Sequence, residues 1–282
     1  MVFESLIRED NAERHPLVVF LIGMLYASLG VIFDVWLFQG RIANLAVFIT
    51  VIAAVPLMYK IIDFEELKTS RSKGEKSLLK EHEKAIKAFV ALFIGMCIAF
   101  SFWNLVLSDV ASASVFAAQH REVDLVREVI SGRIVQPDVL PILFSHNLRV
   151  LIFSFLFSFF FGAGAIFVLT WNASILAVAI GVYVKQSMAM VSGLAGGALL
   201  GSFVGNFAYG FFGYMSHGIF EIVSYFLAGL AGGIISVAVI KHDLFDKDYM
   251  KIVKDASWLV MLAILFLIVG ALIEVFLSPV IF

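Results

Sequence analysis

The sequence predicts an all-α protein, a polytopic transmembrane helical bundle of about seven spans with a re-entrant half-helix and a glycine-rich core. Of its 282 residues, 61% are hydrophobic and only 15% are charged, a composition far from that of soluble domains. Several apolar runs reach the roughly 20 residues that a helix needs to cross about 30 Å of hydrocarbon. Residues 147–240 contain 14 of the 21 glycines and almost no charge, a pattern typical of helices that pack closely in lipid. The lipid bilayer is therefore the first predicted partner.

Composition also excludes several classes of function. The net charge of −2 leaves no basic face for nucleic acid. The single cysteine, Cys97, lies in an apolar run, so one chain can form neither a disulfide framework nor a cysteine metal site. The sequence contains no Gly-x-Ser-x-Gly, no His-Glu-x-x-His and no nucleotide-binding loop. We therefore predict no enzyme, no catalytic residue, no cofactor and no metal.

The N-terminal part is predicted to be a hairpin of two spans, residues 17–38 and 42–62. A strongly cationic loop follows over residues 63–87, with Glu83 and Lys87 spaced as an i,i+4 ion pair. Because cytoplasmic loops are enriched in Lys and Arg, we place this loop and the N-terminus on the cytoplasmic side of a cell membrane. Residues 1–87 thus form one predicted unit, and residues 88–282 form the membrane core.

The core begins with a third span, residues 88–107, which leads to an outer segment over residues 108–146. Val115, Phe116 and Val123 mark the apolar face of an amphipathic helix there. Residues 134–144 are predicted to rest on the membrane interface, because Pro137 and Pro141 oppose a further span.

The apolar run over residues 148–184 is too long for one crossing. We predict that it divides at Trp171-Asn172 into a fourth span and a re-entrant half-helix, residues 173–184, which requires cover by protein or water. Three more spans are predicted over residues 190–212, 219–240 and 258–277. The cationic loop between the last two spans is placed on the cytoplasmic side, and the C-terminus on the outer side.

A row of glycines recurs every fourth residue in the fifth span, and a second small-residue row follows in the sixth. Such rows let helix backbones approach closely, so we predict helix packing at all six glycines. The alternative is that the first row faces a second copy of the chain in a homodimer. The glycines are Gly193, Gly197, Gly201, Gly205, Gly229 and Gly232.

Polar residues in the core form a candidate ligand site. Arg149 and Glu221 lie just inside the outer ends of their spans, and we predict that they pair, because lipid cannot solvate either charge. Asn147 and His217 are placed to fill the remaining hydrogen-bond positions. Asn206, beside the glycine row, is predicted to hydrogen-bond across a helix contact or to line a passage.

The polar residues allow three other interpretations. A helix N-terminus near Gly218 would point its dipole at an anion or water, as in carriers with broken helices. His146, His217 and Glu221 would offer three metal ligands if the fold brought them together. Asp34 and Glu274 lie near outer ends of spans, and we interpret them as interface residues that water reaches rather than as proton relays.

Several motifs of the core resemble the stage II sporulation protein M family of integral membrane proteins. The resemblance covers roughly residues 88–277, with His146 and Ile222-Val223 as departures from the family pattern. It implies the family's fold, and for the name-bearing member a part in forespore engulfment with partners that degrade peptidoglycan. Many relatives belong to organisms that do not sporulate, so it implies no biochemical role here. The motifs are His146-Asn147-Leu148-Arg149, Phe161–Gly164, Trp171-Asn172, His217-Gly218-Ile219-Phe220-Glu221 and Ala228-Gly229-Leu230-Ala231-Gly232.

Together these observations predict a membrane scaffold or assembly protein that recruits a membrane or extracytoplasmic protein partner. The alternative is a small-solute permease or channel built around half-helices. A third, less favoured hypothesis is an intramembrane hydrolase that uses His217 and Glu221.

Overall fold

The computed structural model of the chain describes residues 15–71, 80, 82–131, 139–161, 164–191, 193, 195–241 and 247–277. Within these residues the protein contains helices and no strands. Two of the helices, α1 and α9, end in π-helical turns, Asp34–Phe38 and Ile273–Leu277. The helices are α1 Pro16–Phe33, α2 Leu45–Arg71, α3 Glu83–Val106, α4 Asp109–Val115, α5 Ala117–Ser131, α6 Val139–Phe161, α7 Ala165–Met190, α8 Gly196–Lys241 and α9 Lys247–Leu272.

Seven of these helices are long and apolar enough to cross a membrane. This confirms the all-α polytopic fold, although the seven candidates are not the seven predicted segments. The candidate spans are Pro16–Phe38, Leu45–Thr69, Glu83–Val106, Leu140–Phe160, Ala165–Met190, Gly196–Ile240 and Tyr249–Leu277.

The predicted re-entrant half-helix over residues 173–184 is wrong, because these residues belong to the unbroken helix α7. The Asn172 side chain does not end the helix: its Nδ2 donates to the Val168 carbonyl one turn back, at 2.8 Å. The break lies earlier, between Phe161 and Ala165. There the Ser158 hydroxyl of α6 accepts a hydrogen bond from the Ala165 amide at 2.8 Å, which satisfies an otherwise unpaired N–H at the start of α7.

The predicted fifth and sixth spans form one helix, α8, which continues through His217 and Gly218. Its 46 residues contain no proline to interrupt the hydrogen-bond ladder. At 1.5 Å per residue α8 is about 69 Å long, more than twice the thickness of the hydrocarbon core.

The outer segment also differs from its prediction. The amphipathic helix is divided at Phe116 into α4 and α5, and Phe116 and Val123 are buried as its apolar face requires. Residues 140–144 are not a separate segment but belong to the start of α6, where Pro141 is tolerated because first-turn amides need no intrahelical acceptor. Residues 134–135 and Pro137 lie outside the described residues.

Close backbone contacts hold the N-terminal hairpin against the core. A Cβ atom on Gly23 of α1 would overlap the Leu92 backbone of α3, and one on Gly95 would overlap Phe20. Where α2 ends and α3 begins, the buried Glu65 carboxylate contacts the ring Nδ1 of His82. The predicted Glu83–Lys87 ion pair forms.

Helix α8 lies at the centre of the bundle, in contact with α2, α3, α6, α7 and α9. Gly232 lies so close to the Phe155 backbone of α6 that a Cβ atom would overlap it. A Cβ atom on Gly229 would likewise overlap the Ala165 side chain of α7. The rings of Phe226 and Phe89 of α3 stack with centroids 4.0 Å apart. These contacts fix the depth and rotation of α8 relative to α6 and α7.

A pair of glycine substitutions tests this packing. Gly232→Ala should destabilise the protein by about 1–3 kcal/mol, because the new methyl group overpacks the α6 contact. Gly201→Ala is the matched control on the same helix, with nothing within 4 Å of its added Cβ. It should be neutral or stabilising by up to about 1 kcal/mol, since alanine favours helix over glycine. Thermal unfolding in detergent measures both, and equal effects would contradict the packing.

The seven crossings also carry a topological prediction. Four candidate spans separate the loop after α2 from the loop after α8, so both loops should lie on one side, the cytoplasmic side by their positive charge. Single cysteines at Lys73 and Lys247 should react with membrane-impermeant reagents from the same face. Labelling from opposite faces would show that one of the seven helices does not cross.

Candidate functional site

The predicted core site is built on α6, α8 and α9. Asn147, in the third turn of α6, is 7% exposed, and its Nδ2 donates to Glu221 Oε1 of α8 at 2.6 Å. The sequence therefore predicted correctly that the helices carrying Asn147 and Glu221 contact each other at these residues. Removing water from a carboxyl group is costly unless hydrogen bonds replace it, and Asn147 supplies one.

Glu274 supplies the second contact to Glu221. The two carboxyl groups lie beside each other between α8 and the π-helical turn after α9. Gly270 lies one turn before Glu274, where an added Cβ would be 3.1 Å from Glu221 Cγ. The missing side chain at Gly270 lets α9 approach the Glu221 stem, and the i,i+4 spacing puts Glu274 on the same face.

Two further side chains of α8 flank the acidic pair. Tyr225, one turn further along, is 2% exposed and interacts electrostatically with both carboxyl groups. Its carbonyl accepts a hydrogen bond from the Ser154 hydroxyl of α6 at 2.7 Å. His217 lies one turn before Glu221 and is half-buried. The cluster thus offers two acids, an amide, a phenol and an imidazole along one contact.

The predicted ion pair between Arg149 and Glu221 is wrong. Arg149 is exposed, and its guanidinium reaches the Ser145 hydroxyl at 3.4 Å. At 100° per residue, positions 147 and 149 lie about 200° apart on a helix. Since Asn147 faces α8, Arg149 must point away from it.

The interpretation of Asp34 as a residue reached by water is also wrong, whereas Glu274 is only partly covered. Asp34 is fully buried at the end of α1. There the turn to α2 packs against α4, and Gly40, at φ +71°, comes so close that an added Cβ would be 2.9 Å from Ser114 Cβ. Glu274 is half-buried, and its Oε2 atom is inaccessible.

The residue that sequence reasoning missed as a site member is Glu274. A signal for it existed in the predicted spans. Glu221 lies two residues after the outer start of the sixth predicted span, and Glu274 three residues before the outer end of the seventh. The two acids therefore had nearly the same predicted depth in the same leaflet.

Asn206 lies apart from this cluster. It is 15 residues from Glu221, or about 22 Å along α8. Its Nδ2 donates to the Ser202 carbonyl at 2.9 Å and approaches Met188 Sδ of α7 at 3.8 Å. The amide is thus hydrogen-bonded within its own helix and in contact with α7.

The glycine rows have two different environments. Gly229 and Gly232 are packed against α6 and α7, as predicted. Packing of the first row against another helix of the same chain is wrong, because an added Cβ at any of its members would have nothing within 4 Å among the described residues. That row comprises Gly193, Gly197, Gly201 and Gly205.

The residues do not assemble a metal centre in the part of the chain that the structure describes. No three His, Cys, Asp or Glu side chains come together there as metal ligands, so the hypothetical set of His146, His217 and Glu221 does not form. His146 is exposed at the start of α6. The expectation that the chain is not an enzyme stays a prediction.

A bundle of seven candidate spans with a buried acidic pair between two of them defines a polytopic α-helical membrane protein. The chain belongs to the Stage II sporulation protein M family, whose model matches residues 17–279. The match begins before residue 88 and includes α1 and α2, so the family resemblance extends beyond residues 88–277. No curated protein and no solved structure matches the chain.

A pair of double-mutant cycles tests the geometry around Glu221. Asn147→Ala and Glu221→Ala should couple by about 1 kcal/mol or more, because each change alone removes the same buried hydrogen bond. Arg149→Met should cost less than about 0.5 kcal/mol and add to Glu221→Ala without coupling. Thermal stability in detergent is the measurement, and coupling through Arg149 instead of Asn147 would refute this arrangement.

Proposed function

We propose that the chain is a membrane scaffold that assembles through the first part of α8, and that its first partner is a second copy of the same chain. Membership of the family supports a membrane protein, and the scaffold role is our proposal. The observation that carries it is the exposed glycine row. The steps below concern residues 196–205 at the start of α8, which we call the projecting segment.

The projecting segment extends past the end of its neighbour α7. Helices α7 and α8 run antiparallel, with Met188 opposite Asn206 and Tyr183 opposite Gly210. Since α7 ends at Met190, residues 196–205 continue about two and a half turns beyond that contact. Most residues of this stretch are exposed.

The surface of the projecting segment is apolar. Leu200 is 65% exposed and Val204 is 56% exposed, between glycines spaced four residues apart. Small residues at this spacing allow two helix backbones to approach within van der Waals contact. A large apolar surface of this kind is typical of a protein or lipid contact.

A second copy is the partner that this surface fits best. The same row on two chains is self-complementary about a twofold axis, and closed twofold dimers are the commonest assembly. The permease alternative was based on half-helices, and α7 and α8 run unbroken through the residues where they were predicted. The scaffold hypothesis requires no such break.

Cysteine crosslinking tests the dimer in liposomes that contain only this protein. Gly201→Cys should give an oxidised dimer, because the two α8 helices meet at this row. The parent chain is the blank, since its single cysteine, Cys97, is buried. Leu265→Cys is the matched control, because Leu265 on α9 is 55% exposed and lies outside the projecting segment.

The result has two informative failures. Equal crosslinking at positions 201 and 265 would indicate random collision in the bilayer. If positions 197, 201 and 205 all fail to crosslink in pure liposomes, the second copy is not the partner. Crosslinking of Gly201→Cys to another protein in native membranes would then assign the scaffold a different partner.

A further inference from the structure

The contact between α8 and α9 brings two hydrogen-bond acceptors together. Asn147 donates to one oxygen of Glu221, at 2.6 Å. The Oε2 atom of Glu274 is inaccessible and accepts from no donor among the described residues. The Glu274 carboxyl lies beside that of Glu221, one helical turn from the Gly270 contact. Two carboxylates at such a contact repel each other, and one proton held between them removes the repulsion.

No positive charge of the described residues replaces that proton. Arg149 on α6 is exposed and bonded to Ser145, on the far side of its helix. On α8, Tyr225 interacts with both carboxyl groups and His217 lies one turn before Glu221, and neither side chain carries a permanent positive charge. Two unpaired negative charges at this depth would be strongly unfavourable in a medium of low dielectric constant.

We propose that Glu221 and Glu274 form a proton-binding site in the membrane, which holds one proton between the two carboxyl groups. Asn147 holds the other side of the Glu221 carboxyl, and Gly270 gives the room that lets the acids meet. On release the proton passes to water near the end of the π-helical turn, three residues beyond Glu274, and both carboxyl groups are then negative. This site is independent of the proposed dimer contact.

Loss of the proton acts directly on the packing of α8 and α9. Gly270 lies close to the Glu221 backbone and side chain, so the two helices cannot separate the charges without moving apart. Repulsion between the carboxylates therefore weakens this contact. The stability that the shared proton provides is fully present at low pH and is lost as the pH rises through the range in which the pair releases it.

The pH dependence of thermal unfolding in detergent tests the site. The melting temperature of the parent should fall by about 4 °C or more on alkaline titration. Glu221→Gln and Glu274→Gln replace one acid by a neutral group of the same shape, so repulsion cannot develop and both profiles should be nearly flat over the same range. Identical profiles for the parent and both variants would overturn the proposal.

Two controls separate this site from other titrating groups. Glu83→Gln removes an acid that is exposed on α3, and it should keep the fall seen in the parent. Tyr225→Phe removes the phenol that interacts with both carboxyl groups and titrates at alkaline pH. It should also keep the fall, and a flat profile for Tyr225→Phe would assign the effect to the phenol instead.

A cation in place of the proton is distinguished by adding the metal alone. If Na⁺ or Ca²⁺ raises the melting temperature of the parent but not of the two Gln variants, a metal ion occupies the pair and the proton site is refuted. If both Gln variants fail to fold, infrared spectroscopy of the parent decides. A protonated carboxyl band that shifts with ¹³C-labelled glutamate and disappears at alkaline pH supports the site, and its absence at neutral pH overturns it.

Discussion

The close contact of α8 with α6 and α7 is the constraint on which the rest of the structure depends. Gly229 and Gly232 leave no space for a side chain, and the Ser154 and Ser158 hydroxyls reach across the same contact. With the apolar driving force weak in lipid, such contacts and hydrogen bonds hold helices together. Because α6 and α8 run parallel from this point, Asn147 is carried to Glu221.

Sequence patterns predicted the helical nature of this bundle better than the positions at which its helices begin and end. The all-α fold, the family and the depth of Asn147 and Glu221 followed from apolar runs and motifs. The division between α6 and α7 did not, because it depends on Ser158 capping the Ala165 amide across a turn. The prediction of an Arg149–Glu221 pair failed for a simpler reason. It followed from charge alone, whereas a spacing of two residues turns a side chain to nearly the opposite face of the helix.

The two glycine rows show why spacing alone cannot assign an environment. Both rows repeat at four residues, yet Gly232 is packed against a backbone and Gly201 faces open space. The difference is set by where α7 ends and where α6 lies, which are properties of the tertiary fold. An unbroken helix about twice as long as a membrane crossing must place part of its length beyond its neighbours. The projecting segment is that part.

The acidic pair and the projecting segment share one helix but are physically separable. Glu221 and Gly201 are 20 residues apart, or about 30 Å along α8, and the glycines of the row carry no charge. Charge at Glu221 therefore cannot act on the glycine row through space. Any coupling between proton release and assembly has to pass through movement of α8 against α9. The two helices approach closely at the Gly270 contact, where such movement would begin. Crosslinking at position 201 that is unchanged by Glu221→Gln would show that the helix carries two independent functions.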